Sequence, residues 1–206
     1  VELGFPEVEL NPIRGPSSNP LCISERSLPA VCEGLEGLAD AALEDAIRGS
    51  PLLSRLTSAS DYLGRFLRWT LASARGCLRC PAGKYDLTTA TDGSLYPCPY
   101  FVGDANWRMG SVFDGLDLDA SRFWLALSAY SYRECRDCWA RFVCKGPCPW
   151  WTLQCTGSVL KPNPIECQLN RFLIELAVWF WAELRDRAPE VYHEWTDRLR
   201  PGRDAA

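Results

Sequence analysis

Residues 135–148 read CRDCWARFVCKGPC and place four cysteines within fourteen residues, at the spacing C-x2-C-x5-C-x3-C. Short spacings of this kind let one turn of backbone present two sulfurs to one metal centre. Thiolates are soft ligands that suit zinc and iron–sulfur clusters. These four cysteines could form one four-thiolate metal site by themselves. Whether they do so depends on the cysteines elsewhere in the sequence.

The composition favours a folded protein that works without nucleic acid or a membrane. The 206 residues carry a net charge of −4, 47% are apolar, and no block of basic residues is present. The start, VELGFPEVEL, lacks the basic and apolar regions of a signal peptide. The most apolar run, 172–181, is too short and too charged to span a bilayer. We therefore expect a cytoplasmic protein, in which clustered cysteines are ligands rather than disulfides.

Periodicity predicts four helices and one hairpin. Ser60 and Asp61 are candidate caps for the second helix, and β-prone runs flank the turn dipeptide Asp92-Gly93 within a hairpin over 84–98. Residues 8–10 read as a short strand-like run that breaks into a proline-rich loop. The predicted helices are 35–48, 62–71, 119–132 and 166–185.

Two C-x2-C pairs stand a long gap apart, Cys77/Cys80 and Cys135/Cys138, as in a four-cysteine zinc site. Such a site would leave four further cysteines for a second one. The only histidine, His193, lies far from them in the sequence, which disfavours mixed Cys/His ligation. Eight thiolates divide evenly into two sites, and ligand chemistry alone permits zinc or a [4Fe–4S] cluster in each. The nine cysteines after residue 76 are Cys77, Cys80, Cys98, Cys135, Cys138, Cys144, Cys148, Cys155 and Cys167.

The order of these cysteines resembles the seven-cysteine signature of the SPASM domain, the C-terminal part of many radical S-adenosylmethionine enzymes. Cys80-x12-Gly93-x4-Cys98 precedes the dense segment, and Cys167 follows it. The stretches CPAGKYDLTTATDGSLYPCPYFVG, MGSVFDGL and CWARFVCKGPC are also similar to the family. They look most like thioether-forming peptide maturases and the maturase of quinohaemoprotein amine dehydrogenase. The resemblance is strong over 76–185 and weak over 8–75.

The resemblance implies an α+β fold, with a short β-hairpin, irregular cysteine-rich cluster loops and flanking α-helices. The last strand and linker helices of a partial TIM-type barrel would precede this domain. The implied ranges are 1–75 for the barrel end and helical linker, 76–185 for the SPASM domain with two auxiliary cluster sites, and 186–206 for the C-terminal helix end and tail.

The resemblance also divides the ligands between two [4Fe–4S] clusters. It splits the pair Cys144-x3-Cys148 between the sites, so that metal binding would tie distant segments together. The spacing of Cys77 to Cys80 varies in the family, and Cys155 is a rival to Cys167, so both positions stay open. Free thiols are the expectation for Cys22, Cys32 and Cys155. The first thiolate set is Cys77, Cys80, Cys98 and Cys148, and the second thiolate set is Cys135, Cys138, Cys144 and Cys167.

The sequence lacks the C-x3-C-x2-C motif with which this family binds and cleaves S-adenosylmethionine, since Trp151 stands where the third cysteine after Cys144-x3-Cys148 would be. S-adenosylmethionine and a third cluster are therefore expected in a barrel domain, in the same full-length chain or a separate subunit. The chain begins with Val, and we expect it to be the C-terminal portion of a longer enzyme, inactive alone. Arg14 is a candidate for cofactor contact or for a simple loop ion pair.

The residue after Cys98 is Pro99, where the sulfatase-maturing branch has a catalytic Asp. This difference favours a peptide maturase that forms thioether or related crosslinks, with a base that the sequence does not identify. The expected partners are a substrate peptide or protein and a reductant such as flavodoxin or ferredoxin. The alternative is a non-enzymatic, zinc-stabilised peptide-binding module. Tryptophans crowd the cysteines and serve either as shielding for the clusters or as a peptide surface or electron path: Trp107, Trp124, Trp139, Trp150 and Trp151.

Overall fold

The computed structural model describes residues 8–49, 61–71 and 76–199. The chain divides into two compact units. The helical unit comprises Val1–Arg75 and Pro164–Ala206, and the cysteine-rich unit comprises Gly76–Asn163. In the described part of the chain, no helix is long and apolar enough to cross a membrane.

The described residues form eight α-helices and four short strands. The helices are α1 (Leu28–Ile47), α2 (Tyr62–Leu71), α3 (Leu118–Ala126), α4 (Arg133–Arg136), α5 (Arg141–Cys144), α6 (Pro149–Thr156), α7 (Pro164–Arg187) and α8 (Pro189–Leu199). The strands are β1 (Thr88–Thr89), β2 (Leu95–Tyr96), β3 (Gly110–Ser111) and β4 (Gly115–Leu116).

In the helical unit, α7 packs against α1, α2 and α8. Its buried apolar residues recur at helical spacing and include Leu169, Leu173 and Phe180. Two buried hydrogen bonds fix α2 against this helix. The Tyr62 hydroxyl donates to Asn170 Oδ1 at 2.8 Å, and Trp181 Nε1 donates to the Leu67 carbonyl at 2.9 Å.

Asp61 caps α2, as the sequence predicted for it, whereas Ser60 lies outside the described residues. One Asp61 carboxylate oxygen accepts from the Gly64 amide at 2.6 Å, and the other accepts from the Leu10 amide at 2.6 Å. The Tyr62 amide donates in turn to the Leu10 carbonyl at 3.0 Å. Residues 8–10 pair with no strand of the described residues, and Leu10 bonds to the start of α2; that they form the last strand of a partial barrel stays a prediction.

In the cysteine-rich unit, β1 and β2 form the predicted hairpin. They pair antiparallel, with Thr88 opposite Tyr96 and Thr89 opposite Leu95. At the turn Gly93 has φ +82°, a value that L-residues rarely adopt. Asp92 Oδ1 accepts from the Ser94 amide at 2.9 Å and closes the loop.

A second hairpin, β3–β4, pairs Gly110 with Leu116 and Ser111 with Gly115, and the sequence did not predict it. The Met109 amide donates to the Leu95 carbonyl at 2.7 Å and joins the two hairpins. Below them lies a core that includes Phe101, Met109, Trp124 and Tyr132.

Helix ends differ from the predicted ranges for identifiable reasons. The first helix starts at Leu28 instead of 35, because Pro29 in its first turn costs no hydrogen bond. The helix predicted over 119–132 ends at Ala126, because Leu127 takes extended backbone. A 3₁₀ turn over 129–131 follows. The units part after Arg75 and again between Asn163 and Pro164, and α7 runs through residue 185.

Candidate metal centre

The backbone of the first C-x2-C pair is tied to the segment that carries the dense cysteines. The Gly76 amide donates to the Phe142 carbonyl at 3.2 Å, and the Ala129 amide donates to the Cys77 carbonyl at 2.7 Å. Residues 76–80 have no helix or strand of their own. These two bonds therefore position the Cys77 backbone beside the segment of residues 129–142.

Cys98 lies at the end of the first hairpin, directly before a 3₁₀ turn over 99–101. Burial is the largest influence on its thiol and raises the pKa. Hydrogen bonds from the backbone amides of Tyr100 and Phe101 act in the opposite direction. The charges of Cys80 and Cys148 raise the pKa again, which means that both thiols lie within electrostatic range of Cys98. Cys80 and Cys148 are 68 positions apart in the sequence, yet both influence the Cys98 thiol.

A sharp turn separates Cys144, which ends α5, from Cys148, which is the N-cap of α6. Lys145 has φ 64° and Gly146 has φ 100°. This left-handed pair reverses the chain just after Cys144. The turn separates the two cysteines along the backbone, and their division between two sites stays a prediction.

An aromatic stack joins two ligand-bearing segments. Tyr100, two residues after Cys98, stacks on Trp150, two residues after Cys148, with ring centroids 4.7 Å apart and planes at 30°. Stacked pairs of this kind contribute about 0.5–1.5 kcal/mol beyond their buried area. The stack holds the Cys98 and Cys148 segments together without a metal.

A small cavity of about 20 Å³ lies beside Cys77 and Cys80. Lys84 and Lys145 line it together with these two cysteines. This volume has room for about one water molecule, so a cluster requires the lining side chains to move apart. Neither lysine was predicted from the sequence, in which the one clue was the rarity of lysine.

The second thiolate set is divided between the two units. The structure describes Cys135, Cys138 and Cys144 in the cysteine-rich unit, where the Cys138 amide donates to the Cys135 carbonyl at 3.3 Å. Cys167 lies in the first turn of α7, in the helical unit. Its rival Cys155 accepts a hydrogen bond from Asn163 Nδ2 at 3.3 Å. The choice between Cys155 and Cys167 stays a prediction.

Across residues 8–49, 61–71 and 76–199, no three Cys, His, Asp or Glu side chains converge on a point where they could hold one metal ion. A four-iron cluster is wider than one ion, and its ligands need not meet at a single point. All 11 cysteines are free thiols. The first thiolate set therefore offers the soft donors that an iron–sulfur cluster needs, with Cys80 and Cys148 in electrostatic range of Cys98 and with Cys77 and Cys80 lining one cavity.

No family model matches the chain. A stretch of 93 residues is 36% identical to part of a cysteine-type anaerobic sulfatase-maturating enzyme of Clostridium perfringens. The match covers 42% of this chain and 24% of the relative, so the chain spans about a quarter of the length of the curated relative that it matches.

Part of this chain is therefore related to a radical S-adenosylmethionine maturase, which is the coarser part of the resemblance described above. The SPASM assignment of residues 76–185 stays a prediction. The relative is itself a sulfatase-maturating enzyme, and the expectation from Pro99 that this chain differs from that branch stays a prediction. Pro99 is exposed and begins the 3₁₀ turn.

The remaining candidate residues belong to the helical unit. Arg14 is half-buried in a loop of the helical unit, and its role toward a cofactor stays a prediction. Cys22 is buried in the same unit. Burial and the nearby charge of Glu36 raise the pKa of the Cys32 thiol, which leaves it less reactive than an exposed cysteine.

The tryptophans near the cysteines fall into two groups. Trp124 and Trp151 are 2% and 1% exposed and serve as packing. Trp139, next to Cys138, is 59% exposed. Buried indoles fit the shielding interpretation, while Trp139 keeps the alternative of a peptide-contacting surface open.

Proposed function

We propose that this chain is the auxiliary-cluster portion of a radical S-adenosylmethionine enzyme that modifies a peptide or protein, with a crosslink such as a thioether as the product. The observation that carries the proposal is the grouping of Cys80 and Cys148 around Cys98. The relation of part of the chain to a sulfatase-maturating enzyme supports it.

In this proposal the first and second thiolate sets each hold one [4Fe–4S] cluster, which supplies one-electron transfer. The backbone amides of Tyr100 and Phe101 lower the pKa of the Cys98 thiol and so favour its thiolate form, as donors around metal-bound thiolates commonly do. The stack of Tyr100 on Trp150 holds the segment after Cys98 against the segment after Cys148.

The proposal places radical generation outside the residues of this chain. S-adenosylmethionine and a third [4Fe–4S] cluster belong to a barrel region, in the same full-length chain or a separate subunit, that carries the C-x3-C-x2-C motif absent from this sequence. The partners are that region, a substrate peptide or protein, and a small electron-transfer protein as reductant. The substrate stays unspecified.

Anaerobic reconstitution of the 206-residue chain with iron and sulfide tests the proposal. We expect a brown protein with about eight irons per chain, four for each cluster. Cys148→Ala and Cys138→Ala should each lose about half of the iron, because they belong to different thiolate sets. Cys32→Ala, in α1, is the matched control and should keep all of it. A colourless protein with about two zinc ions would overturn the proposal in favour of a zinc-stabilised peptide-binding module.

A further inference from the structure

The cavity beside Cys77 and Cys80 collects an unusual share of the lysines of this chain. The sequence has only three lysines, and its net charge is −4. Lys84 and Lys145 both line this one small cavity, while Lys161 is exposed elsewhere. An even scatter of lysines over the surface would not place two of three beside the same pair of thiols.

Each of the two lysines is held in place by its own contacts. The Lys84 ammonium donates to the Leu125 carbonyl at 2.7 Å. Lys145 has the left-handed backbone of the turn after Cys144, and its Cδ and Cε lie 3.7 Å from where a Cβ on Gly76 would stand. Both lysines therefore lie at the cavity, Lys84 with its ammonium bonded to the backbone and Lys145 with its aliphatic chain beside Gly76.

Both lysines are half-buried and line the cavity together with two candidate ligand cysteines. An ammonium that is half-buried gains stability when an anion shares its surroundings. The two lysines of the cavity can therefore stabilise an anionic group that is bound by Cys77 and Cys80.

We propose that Lys84 and Lys145 raise the reduction potential of the cluster held by the first thiolate set. A cluster with four thiolates is anionic, and it becomes more negative when it accepts one electron from a reductant. Two positive charges beside the cluster stabilise its reduced form more than its oxidised form, because their attraction to the cluster grows with the cluster's negative charge. No proton moves and no bond forms in this step. The inference rests on the proposed function and goes beyond it by assigning two residues that tune that cluster.

Redox titration of the reconstituted 206-residue chain, with dithionite as reductant and electron paramagnetic resonance as readout, tests the proposal. A Cys138→Ala sample, which lacks the second cluster, assigns the signals. In the double variant Lys84→Met/Lys145→Met, we expect the ratio of reduced to oxidised first cluster at a fixed potential to fall about tenfold, equivalent to about 59 mV for a one-electron couple. Lys84→Arg/Lys145→Arg keeps both charges and should restore the ratio.

Lys161→Met is the matched control, since it removes the one lysine that lies away from the cavity. It should leave the potential unchanged, and a shift as large as that of the double variant would overturn the inference by showing an effect of net charge alone. Unchanged potentials at full iron content in the double variant would also overturn it. So would iron loss in the double variant, which would mean that the lysines serve assembly of the site. Failure of the unsubstituted chain to bind iron would instead overturn the proposed function, and iron content therefore separates the two failures.

Discussion

A Cβ on Gly83 would lie 2.5 Å from Cγ of Trp124. Trp124 is buried and packs edge-on against Phe101 and Trp107. Gly83 also has φ +68°, a backbone conformation that a side chain disfavours. The loop that carries Cys80 can therefore cross the indole only because residue 83 has no side chain.

Replacement of Gly83 by Ala should destabilise the cysteine-rich unit. The methyl group would overpack the core by about 1–3 kcal/mol, in addition to about 1–2 kcal/mol for an L-residue in the left-handed region. Urea unfolding of the reduced chain measures the loss. Gly103→Ala is the control, since Gly103 has φ +92° and open space around its Cβ position. Equal losses for the two variants would contradict a steric role of Trp124.

The stack of Tyr100 on Trp150 leads to a second prediction. Tyr100→Ala should lower the iron content of the reconstituted chain, because the Cys98 and Cys148 segments lose an attraction of about 0.5–1.5 kcal/mol. Tyr85→Ala is matched in chemistry and lies in the same unit, but Tyr85 is 82% exposed. Iron analysis should show a loss only for Tyr100→Ala. An equal loss from both variants would mean that the stack does not prepare the site.

Local sequence patterns predicted the elements that depend mainly on residues close together in the sequence. The β1–β2 hairpin was foreseen because Asp92-Gly93 marks its turn, and α7 because its apolar residues recur at helical spacing. The β3–β4 hairpin was missed because each strand has two residues and Gly110 and Gly115 weaken any strand pattern. Its pairing depends on tertiary contacts such as the Met109–Leu95 hydrogen bond.

The cysteines of the candidate site could be predicted from the sequence, but the residues that surround them could not. Their order along the chain suggested the ligands through a family resemblance. The sequence gives no indication that Lys84 and Lys145 share a cavity, because 61 positions separate them and no periodicity links them. The same holds for the stacking of Tyr100 on Trp150. Contacts of this kind follow from the packing of distant segments.

Removal of iron should increase hydrogen exchange at particular backbone amides of the cysteine-rich unit. Ala129, Phe101 and Thr152 donate backbone hydrogen bonds to the carbonyls of Cys77, Cys98 and Cys148 respectively. If these cysteines hold a cluster, a chelator should raise hydrogen exchange at the three amides, because metal binding contributes to folding.

Hydrogen exchange mass spectrometry before and after chelation measures this effect. The Ala90 amide, which donates to the Ser94 carbonyl at 2.8 Å within the first hairpin, is the internal reference. Its exchange should change less than that of the other three amides. A uniform rise over all four would indicate global unfolding and contradict a local role of the first thiolate set.

The Asp61 cap predicts how the stability of the helical unit depends on pH. Burial raises the pKa of this carboxyl above its usual value, and the amides of Gly64 and Leu10 offset only part of that effect. Between the unfolded pKa of about 3.9 and the raised folded value, the folded state binds more protons than the unfolded state. The free energy of unfolding must then fall as the pH rises through this window and level off above it.

Comparison with Asp61→Asn isolates this contribution. The Asn side chain does not titrate and keeps only one acceptor oxygen, so one of the two amides loses its partner at a cost of about 1–3 kcal/mol. The advantage of the unsubstituted chain over this variant should shrink as the pH rises through the window, because ionisation of the buried carboxyl is unfavourable. Urea unfolding monitored by circular dichroism at several pH values measures the difference, with the exposed Asp40→Asn as control. An advantage that grows with pH would mean that the two amide hydrogen bonds outweigh burial and that the pKa of Asp61 is lowered.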